Sequence, residues 1–266
     1  MHTRRWTLTG VAALTAITFG LTGCGPLDDS GDATTAASSP SPTPASPKDK
    51  LAAAAKKAKD QPVTVTIKET GGGINGEAAV NPKEKAGQLV IKAPIDSSHT
   101  LTMTFLSIAD QSWVKIAGVP GVSATKWQHI DLSKITDKDS IPTGEDMNDE
   151  PTGGLEMVEN AATVEETGEG KFHATVDATK LSSGGIVDED VVKALGTNAS
   201  ALPFDVTLDG QGQLSTVSFL APDDKGTQQT YSVTFKDWGT PSPLLTAPAK
   251  ADTVEASKTV YDMLNN

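Results

Sequence analysis

Residues 63–68 read Val63-Thr64-Val65-Thr66-Ile67-Lys68, a strict alternation of apolar and polar side chains. Successive side chains of a β-strand point to opposite faces, so this stretch predicts a strand with one apolar face. Glycines at 71–73 and the pair Asn75-Gly76 follow it and predict a turn. A strand that returns after so short a connection is antiparallel to its neighbour, because parallel pairing needs a crossover of about a dozen residues or more.

The same alternation recurs on the C-terminal side, bounded each time by turn-forming residues. Leu101, Met103 and Phe105 share one parity. Leu106 and Ile108 have the other, so we expect a bulge or bend near Phe105. Strands are predicted over 76–80, 88–92, 99–108, 112–116, 127–132, 172–177, 204–208, 217–219 and 231–235. Short helices are predicted over 51–59, 154–161, 188–195 and 253–264.

These elements predict an α+β fold built on one large antiparallel sheet. The apolar face of such a sheet must be covered, and the predicted helices are too few and too short to cover it tightly. Two arrangements remain, a closed barrel and a curved half-barrel closed by a few short helices. The half-barrel is the fold class we expect, and it can leave an apolar cavity where a ligand binds.

The N-terminal 23 residues have the layout of an export signal. Arg4 and Arg5 precede an apolar run over 11–21, which is too short to span a bilayer comfortably. The run ends in Leu21-Thr22-Gly23-Cys24, which resembles the lipobox of bacterial lipoproteins. The resemblance implies a signal peptide over 1–23 and acyl chains on Cys24. The alternative is an ordinary signal peptide with an incidental cysteine.

The segment 24–50 carries Cys24 and then a run rich in Pro, Ser and Thr, without apolar periodicity. Such a segment cannot bury enough apolar surface to offset ordering, so we expect a disordered stalk. Residues 51–266 are then one folded domain. Together these features place the protein on the outer face of the cytoplasmic membrane, anchored by its lipid.

Charge and composition exclude several classes of protein. The 22 basic and 34 acidic residues give a net charge of −12, or −14 without Arg4 and Arg5, and such a surface repels nucleic acid. The single cysteine rules out a disulfide within the chain, and the four scattered histidines offer no zinc site. We therefore expect no cofactor and no metal.

Catalytic motifs are absent from the sequence as well. It has no Gly-x-Ser-x-Gly elbow and no phosphate-binding loop after a strand, so an enzyme is not expected. The acidic run at 145–150 has the spacing Asp146-x-Asn148-x-Glu150, but Pro151 and Met157 stand where a calcium loop needs Gly and Glu. A solvated loop is the better interpretation, and calcium binding is the weaker alternative.

Four stretches resemble the actinobacterial lipoproteins of the LppX/LprG-like family, which share the fold of the LolA and LolB carriers. They are KWQHIDL at 126–132, GKFHATVD at 170–177, LPFDVTLD at 202–209 and YSVTFKDWG at 231–239. The resemblance spans residues 51–250 and implies a LolA-like half-barrel whose cavity takes lipid or glycolipid acyl chains. It carries over no catalytic residue. The aromatic content of 5% departs from a roomy lipid cavity, and it leaves open a smaller cavity, a different ligand or no ligand.

Two functions are open at this point. The first is a membrane-anchored lipoprotein that binds or carries a lipid, glycolipid or other amphipathic ligand. The second is a non-carrier sensor or accessory module that contacts another envelope protein, with Trp113, Trp127 and Trp238 as candidate contacts. The apolar faces, which also hold Val63 and Tyr231, could equally form a dry core. The candidate cavity residues are Val65, Ile67, Leu101, Met103, Phe105, Phe204, Val206, Leu208, Val217, Phe219, Val233 and Phe235.

Overall fold

A twelve-stranded sheet dominates the computed structural model, which describes residues 45–70, 75–95, 99–136, 152–182, 185–223 and 226–265. Its strands are β1 (Val63–Glu69), β2 (Asn75–Asn81), β3 (Ala86–Pro94), β4 (Thr100–Ile108), β5 (Gln111–Ala117), β6 (Trp127–Ile130), β7 (Thr163–Gly168), β8 (Lys171–Val176), β9 (Leu202–Leu208), β10 (Leu214–Pro222), β11 (Gln228–Lys236) and β12 (Thr253–Glu255). The helices are α1 (Pro47–Ala58), α2 (Gly154–Glu159), α3 (Glu189–Leu195) and α4 (Lys258–Leu264).

The strand order is β12-β6-β5-β4-β3-β2-β1-β11-β10-β9-β8-β7. Every neighbouring pair is antiparallel except β12 and β6, which run parallel. The sheet is open, with β12 at one edge and β7 at the other. The predicted fold class, a large curved antiparallel sheet with a few short helices, is confirmed.

The predicted apolar faces all lie on one side of this sheet, which we call the inner face. Cross-strand pairing runs from Phe235 through Val65, Ala78 and Leu89 to Phe105. A second row joins Val233 to Val217, Val206 and Phe172. Because side chains alternate along every strand, one register places all of these residues on the same face.

Two separate cores form on the inner face. The large core packs α1, α2 and α3 on β1–β3 and β8–β11, and its fully buried members include Leu51, Met157, Phe172, Phe204 and Val217. The small core packs α4 and its neighbours on β4–β6, and it consists of Phe105, Val114, Ile116, Ile130, Ile135, Val260 and Leu264. Ile91 on β3 packs against both cores, so β3 lies at the seam between them.

The prediction of a bulge near Phe105 is wrong. β4 pairs with β3 and with β5 in an unbroken register from end to end. Phe105 is buried on the inner face and Leu106 is buried on the opposite face, which we call the outer face. Both parities are apolar because both faces of β4 are covered, and a two-sided strand gives the same sequence pattern as a bulge.

The chain after β11 covers the outer face of this part of the sheet. Residues 237–252, which we call the strap, connect β11 to β12 and therefore pass from the middle of the sheet to its edge. The side chain of Gln88 on β3 donates a hydrogen bond to the carbonyl of Leu244 at 3.3 Å. Under the strap, Ala79, Gln88, Leu106 and Trp113 form one buried cross-strand row.

Other element boundaries depart from the prediction. α1 begins at Pro47, where Ser46 and Asp49 form a capping box, so the predicted stalk ends before residue 50. The strand β7 was not predicted, because Val164 is its one large apolar residue. The helix predicted over 253–264 is instead β12 followed by α4, which Ser257 caps.

Several predictions fall outside the described residues. They are the signal peptide, Cys24, most of the stalk, the glycines at 71–73 and the acidic run with its calcium alternative. The described residues lie within one of the two compact units of the chain, Pro44–Asn266. Within them, no helix is both long and apolar enough to cross a membrane.

Candidate ligand pocket

A cavity of about 660 Å³ opens on the inner face between α3 and the strands β1, β3 and β11. Its volume falls in the range of small-molecule sites, roughly 300–1,000 Å³. The floor is Ile67 on β1 and Leu89 and Ile91 on β3. The roof is α3 together with the chain around Thr152 and Ile186.

Small residues on β2 explain the depth of the floor. Gly76 pairs with Ile67 on one side and with Ile91 on the other, and Ala78 lies next along the inner face of the same strand. A Cβ on Gly76 would stand 3.0 Å from the carbonyl oxygen of Val90, so a larger residue does not fit without movement. The two isoleucines therefore flank a trough with no large side chain between them.

The roof depends on two chain segments that meet at glycines. The amide of Ile186 donates to the carbonyl of Thr152 at 2.8 Å. A Cβ on Gly185 would come within 2.8 Å of the Cα of Gly153, so the contact needs glycine at position 185. Asp188 caps α3 by accepting from the amide of Val191 at 2.8 Å, and this presents Val191 to the cavity.

One wall of the pocket is the ring of Tyr231 on β11. The ring stacks on Phe219 with centroids 5.0 Å apart and an angle of 4° between the planes. Tyr231 also pairs across strands with Glu69, and its hydroxyl donates to a carboxylate oxygen of Glu69 at 3.5 Å. The phenol and the carboxylate therefore both lie on the inner face, inside the pocket.

The electrostatic environment of Tyr231 is negative. Burial is the largest cause that raises its pKa to about 12, and the carboxylates of Glu69, Asp188 and Asp223 act in the same direction. All three carboxylates belong to residues that line the pocket. The pocket thus combines an apolar floor with an acidic mouth.

Of the twelve predicted cavity residues, one lines this pocket, and that residue is Ile67. Tyr231, which belongs to the same predicted apolar faces, lines it as well. Val65, Phe204, Val206, Val217, Phe219, Val233 and Phe235 are buried in the large core, and Leu208 packs against it. Phe105 is buried in the small core, with Leu101 and Met103 packed beside it.

Sequence reasoning missed Glu69, Leu89, Ile91, Asp188 and Asp223. Leu89 and Ile91 carry the inner-face alternation of β3 and were predicted as strand but not as cavity. Glu69 lies on the same face of β1 as Val65 and Ile67. A charged residue at the end of an apolar face is the sequence signal that would have identified it as a pocket residue.

The three tryptophans considered as partner contacts are engaged within the chain. Trp113 is buried on the outer face and packs near His129. Trp127 lies under the ammonium group of Lys115, 4.8 Å from the ring centroid. Trp238 stacks on Phe235 and donates from its ring nitrogen to the carbonyl of Leu214 at 2.8 Å. Each therefore has a structural role within the chain.

Comparison with known proteins gives distant structural likenesses. No protein-family model and no curated protein matches the sequence. An uncharacterized conserved protein from Thermus thermophilus is 11% identical with a TM-score of 0.39, over 79% of this chain and 98% of that one.

The structure of MucB in complex with MucA(peri) is 10% identical, with a TM-score of 0.32 over 77% of this chain. The Pseudomonas aeruginosa MucA/MucB complex is 12% identical, with a TM-score of 0.28 over 76% of this chain. The chain spans 60% of the matched chain in both. Likenesses this distant carry no argument about function, and the resemblance to the LppX/LprG-like family stays a prediction.

Proposed function

We propose that this protein is a lipid-anchored extracytoplasmic binding protein, not an enzyme, and that it holds an amphipathic small molecule in the pocket beneath α3. The observation that carries the proposal is the cavity of about 660 Å³ on the inner face. A core packed to native density throughout would leave no cavity of this size.

The lining supports an amphipathic occupant. Ile67, Leu89 and Ile91 offer an apolar floor, while Tyr231 and Glu69 place polar groups at one end. A ligand with an apolar body and one polar end satisfies both regions without burying an unpaired polar group. Lipid and glycolipid are the classes that the family resemblance implies.

The anchor is a second part of the proposal. Acylation of Cys24 would tether the domain to the outer face of the cytoplasmic membrane, and the segment between Cys24 and α1 would set its distance from the bilayer. Mass spectrometry of the N-terminal peptide tests this part directly. A peptide that begins at Cys24 with acyl groups supports it, and an unmodified cysteine contradicts it.

Native mass spectrometry of the full chain carrying Cys24→Ser tests the binding function. We expect a mass excess that disappears on extraction with organic solvent. Ala194→Trp fills the pocket from α3 and should abolish the excess, because Ala194 lines the cavity from an exposed helix position. Asn198→Trp places the same ring on an exposed residue outside the pocket lining and should leave the excess unchanged.

If the protein has the mass of the polypeptide alone, even after incubation with membrane lipids, the binding function is overturned. Crosslinking in intact cells would then test the accessory-module alternative. A mass excess that survives in the Ala194→Trp chain would show a ligand bound elsewhere and would equally contradict the assignment to this pocket.

A further inference from the structure

The charges at the mouth of the pocket are unevenly placed. Four carboxylates and two ammonium groups belong to the described residues that line it. The carboxylates are those of Glu69, Asp188, Asp190 and Asp223, and the ammonium groups are those of Lys68 and Lys193. The balance is negative, but the positions of the charges matter more than their sum.

Glu69 lies inside the pocket. It continues the inner-face row of Val65 and Ile67, and it is half-buried beside its cross-strand partner Tyr231. A carboxylate at the end of an apolar trough is a counter-charge for a ligand whose apolar body lies on Ile67 and Ile91. In a partly desolvated site this attraction is screened less than on an open surface.

The two lysines are placed differently. Lys68 has the opposite parity on β1, pairs with Ser232 and is exposed, so its side chain points to the outer face. Lys193 is exposed on α3 next to Ala194 and lines the mouth of the pocket, where the carboxylates of Asp188, Asp190 and Asp223 outnumber it. The side chain of Lys68 therefore leaves the backbone away from the trough, whereas that of Glu69 leaves it on the inner face.

We propose that the pocket selects amphiphiles with a cationic head group, with Glu69 as the counter-charge and Asp188 and Asp223 adding to the negative potential at the mouth. This inference rests on the proposed binding function and assigns the head-group class. An anionic head group such as a phosphate diester or a sulfate would meet three carboxylates and is disfavoured.

Isothermal titration of the full chain carrying Cys24→Ser tests the inference. The probes are decyltrimethylammonium, decyl maltoside and decyl sulfate below their micelle concentrations, which share one alkyl chain and differ in head-group charge. We expect the cationic probe to bind most tightly and decyl sulfate most weakly. Ala194→Trp should remove the binding of every probe that enters the pocket.

Glu69→Gln keeps the size of the side chain and removes its charge. We expect it to lower the affinity for the cationic probe about tenfold, since a charge-assisted contact of this kind contributes roughly that factor or more. The affinity for decyl maltoside should change by less than about twofold. Glu77→Gln is the matched control because Glu77 is exposed on the outer face of β2, and it should change neither probe.

The outcomes separate the two proposals. If all three probes bind alike and Ala194→Trp blocks them, the head-group inference is overturned and the binding function stands. A cationic preference that survives both Glu69→Gln and Ala194→Trp would belong to the acidic surface in general and would also overturn the inference. If no probe binds, the proposed binding function fails together with it.

Discussion

The two halves of the sheet differ in how many of their faces are buried. In the half made of β8–β11 the inner face carries the large core, while the outer face is polar and Leu220 on β10 is 59% exposed. In the half made of β4–β6 the inner face carries the small core. The outer face is buried there as well, since Leu106 is 1% exposed in the same cross-strand row as Gln88, which donates to the strap.

This difference explains the contrast in core size. A strand covered on one face needs one well-packed layer, and the large core supplies it with three helices. The half with β4 divides its apolar residues between two faces, so each layer is thinner. The pocket lies under α3 on the side of the large core, and Ile91 is the lining residue that also packs against the small core.

The largest expected effect is on the inner face and should be alike in both halves. Phe204→Ala in the large core and Phe105→Ala in the small core should each lower the free energy of unfolding by about 3–5 kcal/mol, because each leaves a cavity under a covered face. Both side chains are at most 5% exposed. Urea unfolding followed by fluorescence measures the two values.

If Phe105→Ala lowers the free energy of unfolding by less than about 1 kcal/mol, this prediction is contradicted. Such a result would mean that α4 does not hold the small core closed. His173→Ala on the outer face of β8 is the control, and it should change little, because its ion pair with Asp205 is exposed.

The next largest effect separates the halves, because it concerns the outer face alone. Leu106→Ala should cost about 2–5 kcal/mol, whereas Leu220→Ala should stay within about 0.5 kcal/mol. The substitution is the same, and only the cover over the residue differs. Equal and small costs at both positions would show that the strap does not exclude water from β4.

The sequence predicted most strands correctly because period-two alternation is a local signal, and β1, β9 and β11 show it without interruption. The prediction failed at β4, where Leu106 and Ile108 break the alternation of Leu101, Met103 and Phe105. The cover on the outer face comes from the strap, more than a hundred residues further along the chain, and no local pattern of β4 reports it. The strand β12 was hidden for a similar reason, since its three residues pair with β6 in a distant segment.

A smaller effect concerns the contact between the strap and β3. Gln88→Ala removes the donor to the carbonyl of Leu244 and should cost about 1 kcal/mol, the net contribution of a typical hydrogen bond. Gln213→Ala, which removes a partly buried amide bonded to Gln61, is the matched control. Hydrogen exchange should show faster exchange in β3 and β4 for Gln88→Ala and not for the control. Unchanged exchange in both strands would contradict a role of the strap in covering them.

The pocket was less predictable than the fold. The sequence identifies which residues face inward, but a core and a cavity have the same inward pattern, and eleven of the twelve predicted residues pack instead of lining the pocket. The gap depends on Gly76 between Ile67 and Ile91 and on the close approach of Gly185 to Gly153, which are tertiary contacts. The acidic mouth likewise combines Glu69, Asp188 and Asp223 from three separate parts of the chain.

The smallest expected effect on stability at neutral pH is in the pocket, where Tyr231 has its pKa raised from 10.0 to about 12. Burial and the carboxylates of Glu69, Asp188 and Asp223 favour the neutral phenol in the folded state. This contribution is fully present below the unfolded pKa near 10, and it is lost as the pH rises through the folded value near 12. Tyr231→Phe should therefore change little at pH 7 but should lessen the loss of stability between these two values.

Ultraviolet titration of phenolate absorbance isolates this group, since the chain has two tyrosines and Tyr231→Phe identifies the high-pH step by removing it. Glu69→Gln should move that step toward lower pH, because it removes one carboxylate and a hydrogen bond while burial remains. Glu77→Gln on the outer face should leave the step in place. If Glu69→Gln also leaves it in place, the carboxylate does not act on the phenol, and the pocket lacks the negative potential that distinguishes it from the packed core around it.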